Sequence, residues 1–183
     1  MHWLNEPKQW SLNGPDLETG VLEIITDENT DFWRVTHYGF SPDNGHAYLK
    51  TVAGNFIARV EFTGDYTELY DQAGLMLRLD GENWIKTGIE LEQGQYCMSA
   101  VVTRTYSDWN IVALQEKPAR VGLKLERSGD AVRIDYSLNG LHFQMLRLAY
   151  FPADVPVQIG VMACSPKRMG FKAQFRGFSL EHI

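Results

Sequence analysis

The stretch Gln72–Gly94, QAGLMLRLDGENWIKTGIELEQG, reads as two β-strands joined by a turn. Leu75, Leu77 and Leu79 share one face of the first strand, and Ile85, Ile89 and Leu91 share one face of the second. This is the two-residue period of a half-buried strand, and Asp80-Gly81-Glu82-Asn83 between the runs carries turn chemistry. Both apolar sets must face one core. That condition predicts Leu79 opposite Ile85, Arg78 across from Lys86 and Met76 across from Gly88, with Gly81 supplying a bulge or an odd loop. The outer face then carries Met76, Arg78, Trp84, Lys86 and Glu90. Two cations directly opposite each other destabilise a sheet unless a carboxylate or a bound anion lies between them. One reading is a solvated surface network with Glu61 as the compensating carboxylate. The other is a ligand floor on a concave sheet, where Trp84 stacks on a sugar face, Arg78, Lys86 and Glu90 direct hydrogen bonds, and Gly88 admits close approach. Either way the hairpin predicts a locally positive spot.

The same alternation recurs along the chain. Phe56, Ala58, Val60 and Phe62 form one inward set, Val121, Leu123 and Leu125 another, and Val132, Ile134 and Tyr136 a third. Val155, Val157, Ile159 and Val161 follow, and Phe171, Ala173 and Phe175 close the series. Turns rich in Gly, Asp and Asn separate the runs at Thr63-Gly64-Asp65, Glu92-Gln93-Gly94, Ser128-Gly129-Asp130 and Asn139-Gly140. Helical periodicity reaches no further than one turn around Tyr66–Tyr70. The expected fold is therefore all-β, an antiparallel two-sheet β-sandwich of jelly-roll kind or a barrel, forming a single domain over residues 1–183. The irregular stretch Asp27–His46 is the long loop on which a sandwich would display binding residues.

Composition narrows the class of partner. With 44% hydrophobic and 22% charged side chains among 183 residues, the chain can bury a sizeable core without disulfides or a structural metal. Its 17 basic against 23 acidic side chains argue against nucleic acid and anionic membranes. The N-terminal MHWLNEPKQW lacks a secretory pattern and no run approaches a membrane span, so a cytoplasmic location is expected. Cys97 and Cys164 lie in apolar stretches, in no CxxC motif, and read as buried hydrophobes of a reducing compartment.

The strings DFWRVTHYGFSPDNGH, YDQAGLMLRLDGENWIKTGIE, VVTRTYSDW, DYSLNG, VQIGVMACSP and GFKAQFRGFSL together resemble the domain-of-unknown-function family 1349 from about Trp10 to Leu180. That family includes the fungal regulation-of-enolase protein. The resemblance implies the concanavalin A-like lectin/glucanase sandwich. Motif by motif, it points to Trp33, His37, Tyr38, Asp43, Asn44 and His46 in the first string, Trp84, Lys86 and Glu90 in the second, and Ser107, Asp108 and Trp109 in the third. A fold shared by lectins, glycosidases and non-catalytic modules does not choose among them.

Glycosidases of this fold carry alternating carboxylates of the form E-x-D-x-E, which this chain lacks. The nearest match, Glu90 with Glu92, spans about 7 Å on one strand face, and Glu92 already abuts a turn. Glu90, His37 and His46 are the candidate acid–base groups for sugar processing. Asp27, Asn29 and Asp31 imitate the start of an EF-hand, but Phe32 stands at the sixth position and Tyr38 at the twelfth, so that motif is rejected. His37 and His46 fit no zinc spacing. A different, loop-built calcium site on the acidic residues Asp27 and Asp31 stays open as an alternative; otherwise no metal or cofactor is expected. Among Trp33, Trp84 and Trp109 at least one should be packing, with Trp84 turned away from the leucines. The first expectation is a non-catalytic module binding a carbohydrate or sugar-derived ligand through Trp33, His37, Tyr38, Asp43, His46, Arg78, Trp84, Lys86, Glu90 and Trp109. The second is a regulatory module whose partner is a glycolytic enzyme, as the regulation-of-enolase resemblance implies; a glycoside hydrolase is third. The exposed sheet edges suit a monomer or a homodimer.

Overall fold

A computed structural model describes residues 1–183 and contains fourteen strands and no helix. In chain order they are β1 (His2–Leu4), β2 (Gln9–Asn13), β3 (Val21–Ile25), β4 (His46–Val52), β5 (Phe56–Gly64), β6 (Gln72–Arg78) and β7 (Asn83–Glu92). Then follow β8 (Gln95–Arg104), β9 (Tyr106–Ala113), β10 (Val121–Ser128), β11 (Ala131–Ser137), β12 (Gln144–Tyr150), β13 (Val157–Cys164) and β14 (Lys172–His182). Seven build one sheet in the order β1-β4-β13-β6-β7-β8-β9, and seven build the other in the order β12-β11-β10-β5-β14-β3-β2. Neighbouring strands are antiparallel, for example at β6/β7 and β5/β10. The chain is thus an antiparallel two-sheet sandwich.

Alternation dictates the filling. Phe56, Ala58, Val60 and Phe62 of β5 face Ala73, Leu75 and Leu77 of β6 and Ile85 and Ile89 of β7 across one core of 35 buried residues. Val155 precedes its strand and only packs against that core. The outer face of the first sheet behaves differently. There Phe32, Trp33, Ala47, Leu49, Met76, Trp84, Val101, Met162 and Cys164 form a second apolar cluster, covered by the Thr26–Gly45 loop instead of by water.

The hairpin register departs from the expected one by two residues. Leu77 pairs with Ile85, Met76 with Lys86, Gly74 with Gly88, and Arg78 with Trp84 instead of Lys86. Leu79 leaves the ladder: its N–H donates to the Asn83 carbonyl at 2.9 Å, and the Asp80 carboxylate accepts from the Glu82 N–H at 2.8 Å and the Asn83 side chain at 2.9 Å. The side-chain-capped loop replaces the expected bulge at Gly81. A two-residue slip preserves which face each side chain occupies, so the outer set survives while its cross-strand partners change. Glu61 compensates neither cation, because it lies on the opposite sheet and pairs with Arg120 at 3.0 Å.

The expected helical turn at Tyr66–Tyr70 is a non-helical turn. The buried Asp71 carboxylate takes the Thr67 and Glu68 N–H groups at 3.0 and 3.1 Å, and an alternative partner for these amides removes the reason to coil. The same carboxylate accepts from Ser165 Oγ at 2.6 Å and Arg168 Nη2 at 2.8 Å, tying the segment after β13 to the start of β6.

Gly74 and Gly88 face each other where the strands crowd. A methyl group on Gly74 would lie 1.9 Å from the Thr87 carbonyl oxygen, and one on Gly88 would lie 1.9 Å from that of Ala73. Between Lys86 and Glu90 the sheet therefore presents bare backbone. Gly88→Ala should cost about 3 kcal/mol through forced backbone displacement. Gly122→Ala, whose methyl meets Phe143 at 3.4 Å and Ser137 at 3.8 Å, should be neutral or stabilise by about 0.5 kcal/mol. Urea unfolding of the two variants measures the contrast.

Candidate functional site

The loop between β3 and β4 folds back as a flap over the outer face of the first sheet. Phe32 bridges Asp43, the Trp33 N–H donates to the Pro42 carbonyl at 3.1 Å, and the Asn44 side chain accepts from the Asp31 N–H at 3.0 Å. Ionic and polar pins hold it down. Arg78 grips Asp43 in a two-bond fork at 2.7 and 2.6 Å, and Lys86 Nζ donates to Asp31 Oδ1 at 3.0 Å. The Ser107 hydroxyl accepts from the Arg34 N–H at 2.9 Å, fastening the flap to β9.

The floor beneath the flap is polar and dry. Asp31 Oδ1 also accepts from Gln72 Nε2 at 3.2 Å and from the Phe32 N–H at 2.8 Å. Glu90, only 6% exposed, receives Ser99 Oγ at 2.8 Å and Trp109 Nε1 at 3.1 Å on the single oxygen Oε2. Glu90 Oε1 and Asp31 Oδ2 accept nothing from the protein. Burial pushes the Glu90 carboxyl above the ordinary 4.5, and the attraction of Lys86 only partly opposes it. For Lys86 burial is again the largest influence and favours the neutral amine, but Asp31 and Glu90 together outweigh it and hold the ammonium above its ordinary 10.5. The surroundings thus favour the charged form of Lys86 and the neutral form of Glu90.

Aromatic side chains wall this floor. Trp33, Tyr38, Phe40, Tyr70 and Trp109 surround Asp31, Lys86 and Glu90 in a cavity of about 150 Å³, with Pro166 and Lys167 at its rim. Trp33 and Trp109 meet at 89°, Tyr70 and Trp109 at 78°, and Trp33 and Tyr38 at 71°. The hydroxyls of Tyr38 and Tyr70 hydrogen-bond across the cavity at 3.3 Å. Trp33, Tyr38 and Trp109 also wall an adjoining open groove with Thr36, His37, Ser107 and Asp108. The flap tip is strained: Val35 and His37 hold φ of 62° and 65° at the centres of two left-handed γ-turns, closed by the Thr36 and Tyr38 N–H groups. Each such residue costs of order 1–3 kcal/mol, and strain of this kind collects where side chains are presented for function.

Of the residues expected at the site, the structure brings Trp33, Tyr38, Lys86, Glu90 and Trp109 to the cavity and His37 to the groove beside it. Four others do not reach it. Trp84 is 1% exposed and packs 6.2 Å from Phe32 in the apolar cluster, because the flap covers the face onto which alternation turns it. Arg78 and Asp43 are consumed by their mutual fork. His46 is buried between the Asn5 carbonyl at 2.6 Å and the Asp27 N–H at 3.0 Å, which leaves neither ring nitrogen for chemistry. The expected positive spot is likewise neutralised, since each cation has its own flap carboxylate. Asn44 braces the flap, and Asp108 pairs with Arg147 at 3.1 Å. Asp31, Phe40, Tyr70, Gln72 and Ser99 were not anticipated. The signal for Asp31 was present: two outward cations demanded carboxylates, and an acidic loop was at hand. Both thiols are buried, and burial holds each above its ordinary pKa, so neither is a nucleophile.

Fold and cavity define a concanavalin A-like β-sandwich with a ligand-sized, flap-covered site on the outer face of one sheet. The chain belongs to the family described as "Protein of unknown function (DUF1349)", which matches residues 3–183. Regulation of enolase protein 1 of Saccharomyces cerevisiae is 38% identical over 178 residues, covering 97% of this chain and 87% of that protein. The crystal structure of a functionally unknown protein from Saccharomyces cerevisiae superposes with a TM-score of 0.91 at 37% identity, over 100% of this chain and 96% of the other. The carbohydrate-binding module CBM66 from Bacillus subtilis shares the fold, with a TM-score of 0.53 at 14% identity over 94% of each chain.

The raised pKa of Glu90 has a sign that stability measurements can read. Its stabilising contribution is complete below the unfolded value near 4.5 and is lost as pH rises through the higher folded value. Wild type should lose stability relative to Glu90→Gln as pH climbs above 4.5, as followed by urea unfolding at several pH values. A difference between the two that stays constant with pH would show that Glu90 titrates normally.

Proposed function

We propose that this protein is a binding module for a sugar or sugar-derived ligand, held in the Asp31–Lys86–Glu90 cavity. The observation that carries the reading is the buried Glu90, which keeps one oxygen free beneath aromatic walls. A polyhydroxylated ring needs acceptors and donors fixed in a dry site, plus an apolar surface for its C–H face. Glu90 Oε1 and Asp31 Oδ2 are the acceptors, the remaining N–H groups of Lys86 are the donors, and Trp109 is the surface. The carbohydrate-binding module that shares the fold accords with this reading, and the buried thiols accord with a reducing cytoplasm. In a glycan array followed by isothermal titration, Trp109→Ala and Lys86→Met should each weaken binding at least about tenfold, a loss of roughly 1.4 kcal/mol. Phe143→Ala, remote from the cavity, should leave binding unchanged. Equal affinity in wild type and Trp109→Ala removes this cavity from contention.

A regulatory role toward a glycolytic enzyme is the second reading, and two observations favour it. The relative at 38% identity is named for regulation of enolase, and the flap tip presents Tyr38 and Phe40, 44% and 50% exposed and stacked at 5.3 Å, as an aromatic anchor. In surface plasmon resonance, purified enolase should bind wild type and lose about tenfold in affinity for Phe40→Ser. No response at micromolar enolase dismisses this partner.

A further inference from the structure

The charges in the cavity determine more than its polarity. Two carboxylates, Asp31 and Glu90, face one ammonium, Lys86, and each carboxylate keeps an oxygen that no protein group satisfies. Lys86 is engaged with Asp31 at 3.0 Å and is 4% exposed along its side chain, so an anionic ligand approaching its remaining N–H groups would meet the Asp31 and Glu90 carboxylates as well. Lys167, the other cation at the site, lies on the exposed rim, where solvent screens it. With Asp31, Glu90 and Lys86 all ionised, the floor carries one net negative charge.

The walls have the complementary property. Trp33 and Tyr70 each stand nearly at right angles to Trp109, and Tyr38 crosses Trp33 at 71°. Rings set in this way form a box whose electron-rich faces attract a compact cation. The hydrogen bond between Tyr38 and Tyr70 joins two of the walls and, ahead of burial, holds the Tyr70 phenol above its ordinary 10.0.

We infer that the ligand enters this cavity through an ammonium group and is an amino sugar: a polyhydroxylated ring bearing one protonated amine that lies between Glu90 Oε1 and Asp31 Oδ2, inside the aromatic box. The inference rests on the sugar reading and adds the charge of the ligand to it. The uncharged hydroxyls take the free N–H groups of Lys86.

The test titrates the full chain with four probes, D-glucosamine, D-glucose, N-acetyl-D-glucosamine and choline, reading the indole ¹H–¹⁵N resonance of Trp109. Glucosamine should bind at least tenfold more tightly than glucose or N-acetylglucosamine, and Glu90→Gln should abolish that preference. The spectrum of the Glu90→Gln variant reports whether it is folded. Tyr70→Leu, which removes a wall but no buried charge, provides the second variant and should weaken glucosamine at least fivefold while leaving glucose unchanged. Equal affinity for all three sugars overturns the inference and leaves the sugar reading standing. Glu90-dependent binding of choline, with no sugar bound, supports the ammonium site and overturns the sugar reading. No response to any probe overturns both.

Discussion

The buried Lys86 ammonium is the constraint on which the site is built. Its strand places it on the outer face of a sheet whose inner face is fully occupied by the core. A cation out of water is tolerable only with a counter-charge at hand. Asp31 provides that charge from a segment distant in sequence, and in doing so it brings a long loop down onto the sheet. Arg78 and Asp43 repeat the arrangement one row away. Once the flap is down, Phe32 and Trp33 close a second apolar cluster with Trp84 and Met162, and the two cations of the ion pairs are buried beneath it. The two effects depend on each other: the pins locate the flap, and the flap buries the cations of the pins.

Glu90 occupies a different position in the same field. It has two donors on one oxygen, a cation nearby and no ion-pair partner of its own. Its second oxygen, Oε1, accepts from no protein group and is left facing the cavity. The backbone is also constrained nearby, by the strained γ-turns at the flap tip and by the crowded Gly74/Gly88 crossing.

Much of this was legible in the chain. Two-residue alternation is a direct consequence of the pleat, so the strands, the antiparallel sandwich and the outward orientation of Lys86 and Glu90 could be read from residue order. Register was not legible to the residue. Leu79 looks like a ladder member until the Asp80 side chain is seen to cap the loop, and a slip of two residues leaves every facial pattern unchanged. Trp84 was misplaced for a related reason: alternation tells which face a side chain takes but not whether another part of the chain lies over that face. The same gap hid Tyr70 and Phe40, which reach the cavity from a turn and from a flap, where no period constrains them.

Sequence by itself therefore determined the class of architecture, the residues of the core and the presence of uncompensated cations on one sheet face, because each of these follows from local geometry and from charge that must be paired. Tertiary structure alone decided which carboxylate meets which cation, which aromatic rings become cavity walls and which become core, and that Asp31 and Glu90 come together around Lys86 at the bottom of one cleft. The physical reason is distance along the chain: Asp31 and Lys86 are separated by 55 positions, and no local pattern encodes a meeting that depends on how a loop returns over a finished sheet.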